Sequence, residues 1–198
     1  MVAQAEIRTE VGSVQEVIER IDAAREAIWE VPPQEVLDLA NGIIPLGTGA
    51  KNNYLSTMIF AENELRTLTD EILWFAWATA TRRPDLDLAT LVAYMDEMGQ
   101  YKANMNIYVG LPEGGAILKL YVGGIRRAQT MQEFADLTES VMTYMNRLHG
   151  WVDIAFPWGL VDGFKRVNPL QRIVDLHRVG ADQVTEGLSR TAMEGATR

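Results

Sequence analysis

Between Tyr101 and Val122 the apolar residues change their spacing, and no other stretch constrains the fold as tightly. Tyr101, Ala103, Met105, Ile107 and Val109 alternate with Lys102, Asn104, Asn106 and Tyr108. A period of two places successive side chains on opposite faces of a strand. Pro112-Glu113-Gly114-Gly115 is turn chemistry, and Ala116 to Val122 alternates again. The pattern predicts a β-hairpin in which the odd residues face the core, so that Ile107 is buried and Asn106 meets water. A hairpin alone is marginal in water. A short alternation over 151–156, with Val152, Ile154 and Phe156 against Trp151, Asp153 and Ala155, offers a third strand.

Elsewhere the spacing is helical. Ser13 and Glu16 form a capping-box pattern ahead of Val14, Val17, Ile18, Ile21, Ala24 and Ile28, and Pro32-Pro33 stops that helix. A short helix from Gln34 to Ala40 follows. Residues 53–81 read as one long helix, although the run Ile72 to Ala78 is apolar all round and fits a buried strand as well. Asp85 or Asp87 caps the next helix, which ends at Gly99. Thr130 and Glu133 make a second capping box, for a helix expected to end at Gly150. The resulting expectation is an α+β fold, mostly helical, packed with a small antiparallel sheet built on the hairpin at 101–122. It forms one compact domain over 1–180 with an acidic N-terminal helix, and 181–198 is a weakly anchored tail.

Charge and composition remove whole classes of function. The net charge is −9, and residues 1–40 hold nine acidic residues against three arginines. Basic residues cluster only as the doublets Arg82-Arg83, Arg126-Arg127 and Lys165-Arg166, so nucleic acid is not an expected partner. The absence of cysteine excludes disulfides, thiolate metal sites and a thiol nucleophile. No apolar run approaches a membrane span, and the N-terminus is too polar for a secretory signal. The expected location is cytoplasmic, with no transmembrane segment.

The motifs offer little chemistry. Gly42 to Lys51 is glycine-rich, but its lysine is displaced from the position a phosphate loop requires. Glu16, Glu19, Glu35 and Asp38 share a spacing with magnesium-binding helical pyrophosphohydrolases, yet the first two lie opposite the apolar stripe and read as a solvated face. Neither His149 nor His177 has a histidine or carboxylate three or four residues before it, so no metal and no cofactor are expected. His149 with Asp153 is the best acid/base pair, although a helix-end histidine is the ordinary explanation. The aromatic stretch 151–164 supplies candidate binding residues, Trp151, Phe156 and Trp158, with His149 at its edge. These readings favour a non-catalytic, self-associating protein that binds a protein partner, such as an adaptor, chaperone-like or assembly subunit. The alternatives are a small-molecule enzyme using His149 and Asp153, or an apolar-ligand carrier walled by Trp74, Trp77, Trp151 and Trp158.

Overall fold

The computed structural model describes residues 12–43, 59–83 and 85–155, and every regular element among them is helical. We number the helices α1 (Val14–Glu30), α2 (Gln34–Ile43), α3 (residues 59–82), α4 (Leu88–Tyr108), α5 (Pro112–Ile125) and α6 (Met131–Ala155). The expected hairpin is therefore the helix pair α4–α5, and the third strand is the last turn of α6. The α+β assignment is overturned in favour of a helical bundle. The segment 181–198 and the end of the expected domain lie outside the described residues.

Polar residues inside the bundle explain the misreading. The buried positions of α4 are Leu91, Met95, Gly99, Lys102, Ala103 and Asn106, a helical series. Lys102 and Asn106 belong to it, and a reading that sends Lys and Asn to water sees alternation instead. The Lys102 ammonium is held 2.8 Å from Glu64 of α3, and the Asn106 amide donates to the Lys102 carbonyl at 3.0 Å. Asn106 is fully buried while Ile107 is 41% exposed, the reverse of the strand register.

The turn between α4 and α5 is a helix stop followed at once by a helix start. Gly110 takes φ +87°, a left-handed conformation that glycine adopts without strain. The Leu111 N–H reaches back to the Asn106 carbonyl at 2.8 Å and the Gly110 N–H to that of Ile107 at 3.1 Å, a Schellman arrangement. Pro112 then opens α5 where a helix needs no N–H. The two helices run back to back at close range. A Cβ built on Gly115 would lie 2.5 Å from Ile107 Cγ1 and 2.7 Å from the Ala103 carbonyl oxygen.

Helix α6 is the centre of the bundle, packed by α1, α2, α3 and α5, while α4 rests on α5 and α3. The expected N-caps form at the starts of α1 and α6: the Ser13 and Thr130 hydroxyls accept from the Glu16 and Glu133 N–H groups at 3.2 and 3.1 Å, and at α6 the Glu133 carboxylate closes the box by accepting from the Thr130 N–H at 3.2 Å. The end of α1 is tied to α6. The Trp151 indole donates to the Ile28 carbonyl at 2.7 Å, and the Arg147 guanidinium, stacked between the Trp29 and Trp151 rings, donates to the Trp29 carbonyl. These bonds satisfy carbonyls that the last turn of a helix leaves open. Residues 59–82 are one helix, interrupted by a π-helical segment, Thr67–Leu73. It carries no strand, and the apolar run 72–78 is not buried all round: Trp74 and Phe75 are half-exposed while Leu73 and Ala76 are buried.

Two glycines test this packing. Gly150 lies inside α6 rather than at its end, with nothing within 4 Å of an added Cβ. Gly150→Ala should stabilise the chain by about 0.5–1 kcal/mol through helix propensity. Gly115→Ala makes the same local gain, but its methyl meets a backbone oxygen that cannot yield, and a net loss of about 1–2 kcal/mol is expected. Chemical denaturation of the two variants should give shifts of opposite sign, and equal shifts would contradict the close α4–α5 approach.

Candidate functional site

Glu62 on α3 faces His149 and Asp153 on α6. The His149 Nε2 atom lies 3.5 Å from the Glu62 carboxylate and 3.6 Å from that of Asp153, one helical turn further along α6. Glu62 is buried, His149 is nearly so, and Asp153 is half-exposed, which gives the set one face toward solvent. The Nε2 atom is itself buried and makes no hydrogen bond. Burial holds the Asp153 carboxyl above its ordinary range; the His149 imidazole and Arg66 oppose that shift, and Glu62 adds to it. Buried polar atoms are as a rule hydrogen-bonded, so an imidazole nitrogen without such a bond between two carboxylates makes this set the candidate site. The three ligand atoms lie within 4.8 Å of one another, close enough to share a proton, an ammonium group or a cation.

The packing of α3 on α6 brings Glu62 into the set. Trp77 of α3 donates its indole N–H to Glu139 of α6 at 3.3 Å, and the π segment presents Leu68, Thr69, Ile72 and Leu73 to the interior. π-helical turns recur beside functional sites because they re-aim a helix face. Sequence reasoning found His149 and Asp153 as a pair and missed Glu62, which comes from another helix. Spacing rules along one helix cannot see it.

The other sequence-derived candidates divide. Trp151 is buried, with its indole bonded to α1, and it serves the bundle. Phe156 and Trp158 lie outside the described residues, as do most of Gly42 to Lys51 and His177. Glu16 caps α1 by accepting from the Gly12 N–H at 2.8 Å, and Glu19 is exposed.

Glu35, the third acid of that spacing, lies inside the bundle. It is buried, and its carboxylate accepts from the Glu113 N–H at 2.7 Å. The residue before α5, Leu111, has no side chain able to cap, so α2 supplies the missing acceptor from a distance. Its second oxygen has no partner. Burial pushes this carboxyl up to about 8, against the Glu113 hydrogen bond, which lowers it.

The profile described as the cucumopine synthase C-terminal helical bundle domain matches residues 14–154, most of the chain and nearly all of the described bundle. The chain belongs to this family. Glu62, His149 and Asp153 all fall inside the matched span. The solved structure of McbB in complex with tryptophan superposes on this chain with a TM-score of 0.64 at 26% identity, covering 75% of this chain and 48% of McbB. The chain thus spans about half the length of McbB. No curated protein sequence matches it. Membership in a family named for a synthase overturns the reading as a non-catalytic adaptor, chaperone-like or assembly subunit. Among the described residues no helix is long and apolar enough to cross a membrane.

Glu35 gives a pH test of the bundle. The folded carboxyl binds its proton more tightly than the unfolded one, so its contribution is full below the unfolded pKa of 4.5 and is lost as pH rises through about 8. Glu35→Gln keeps an acceptor for the Glu113 N–H but cannot ionise. Between about pH 5 and 9, wild-type stability should fall by a few kcal/mol more than that of the variant. Parallel pH profiles in urea denaturation would show that Glu35 is not buried as a neutral acid.

Proposed function

We propose that this chain is the helical part of a small-molecule enzyme acting on an amino-acid substrate, with Glu62, His149 and Asp153 as its reactive centre. The observation that carries the reading is the buried His149 Nε2, free of any hydrogen bond and 3.5 and 3.6 Å from carboxylates on two helices. Membership in a family named for a synthase supports catalysis, and the tryptophan bound in the McbB structure supports an amino acid as the class of substrate. The chemistry suits that class. The ammonium of an amino acid must lose a proton before its nitrogen can attack an electrophile, and the centre offers one nitrogen lone pair and two carboxylates to the three N–H bonds of such a group. The two carboxylates favour a positively charged partner, and the half-exposed Asp153 leaves an approach from solvent.

The test follows consumption of individual amino acids, L-tryptophan among them, by mass spectrometry after the chain is incubated with a cell metabolite extract. His149→Gln keeps volume and polarity but removes the imidazole. It should lower turnover by roughly 10²–10⁴-fold, the range for loss of a positioned proton-transfer group. Gly150→Ala, on the same helix, should leave turnover unchanged. Wild-type turnover by His149→Gln would remove this centre from the reaction.

A further inference from the structure

We propose that Glu62, His149 and Asp153 form a binding site for a divalent cation of the zinc class. This deepens the reading of the same three residues as a reactive centre, with a bound ion in place of the free imidazole as the group that would meet the substrate nitrogen; its catalytic use rests on that reading, but the binding does not.

A tetrahedral ion bound by imidazole nitrogen and carboxylate oxygen at about 2.0–2.2 Å separates its ligands by roughly 3.3–3.6 Å. The two separations from His149 Nε2, 3.5 Å to Glu62 and 3.6 Å to Asp153, already match that edge. They are long for hydrogen bonds, and Nε2 makes none. In its neutral form an imidazole with Nε2 unprotonated presents there the lone pair that a metal ligand requires. The three ligand atoms lie within 4.8 Å of one another, and the half-exposed Asp153 has the freedom to shorten its distance to the buried Glu62.

Charge and donor type agree. Two carboxylates and an imidazole suit borderline divalent ions rather than the all-oxygen preference of calcium or magnesium. Three protein ligands leave a fourth position for water or substrate, the arrangement of catalytic rather than structural zinc. Arg66, one turn along α3 from Glu62, places a positive charge near Asp153. Its guanidinium is bonded to Asn63 at 3.2 Å, and two carboxylates against one guanidinium keep the surroundings negative. The ligands sit on two rigid helices, so little ordering is needed on binding. The fourth position would take the amino nitrogen or the carboxylate of an α-amino acid in place of water, which would join the cation to the substrate class proposed above.

The test uses the untagged full chain, freed of metal by chelation, and titrates it with zinc chloride by calorimetry and with cobalt(II) by visible absorption. The expected result is one equivalent of zinc bound, a rise in melting temperature, and the intense visible bands of four-coordinate cobalt. His149→Gln and Glu62→Gln should each weaken zinc binding at least tenfold and abolish the cobalt bands while the far-ultraviolet circular dichroism stays helical. Binding that survives both substitutions, or no binding by the wild type, would overturn the proposal. The two readings separate cleanly. If zinc fails to bind but His149→Gln still loses turnover, the cation site falls and the reactive centre stands; if zinc binds but His149→Gln keeps full turnover, the reverse holds.

Discussion

A buried ion pair sets the arrangement of this bundle. Lys102 and Glu64 meet at 2.8 Å with both side chains almost out of solvent, and they join α4 to α3. Leaving either charge alone inside the protein would cost several kcal/mol, so α3 is confined to the placements that satisfy it. Two residues earlier on α3 is Glu62, turned by roughly 200° to the other side of the helix at 100° per residue. One face of α3 is thereby committed to Lys102 and the opposite face delivers a carboxylate to His149. Other polar links join further pairs of helices: Glu35 caps α5 from α2, Ser140 of α6 donates to Asp22 of α1 at 2.8 Å, and Tyr121 bonds Thr138 at 3.1 Å.

These buried polar contacts also decide how much of the fold could be read from the sequence. Where the core face is purely apolar, as in α1, the periodicity and the capping box located the helix and its buried residues correctly. The box Thr130–Glu133 and the cap Asp87 were equally legible, because capping is local. Helix α4 was misread because Lys102 and Asn106 occupy its core positions, and the partner of Lys102, Glu64, is remote in sequence. The signals that would have corrected the reading were present in Gly110 and Pro112. A glycine followed two residues later by proline is the usual ending of one helix and opening of the next.

The site was legible in part for the same reason. His149 and Asp153 are one turn apart on a single helix, so spacing alone brings them together. Glu62 became visible only through tertiary packing. In sequence it is one acid among many in a negatively charged chain, and nothing local marks it. Trp151 was conspicuous as an aromatic beside other aromatics, yet its role is to close the end of α1. Size and unusual composition drew attention to it, whereas His149 is distinguished by an imidazole nitrogen set between carboxylates of two helices, and only coordinates reveal that.

The central claim is that Glu62 and His149 act as one centre rather than as two independent contributors. A double-mutant cycle on turnover, built from Glu62→Gln, His149→Gln and the pair together, tests this most directly. Residues that act as a unit are strongly non-additive. The account requires the double variant to be about as slow as the slower single variant, because either substitution already disables the centre. Losses that multiply, so that the double variant is slower by the product of the two single effects, would contradict it.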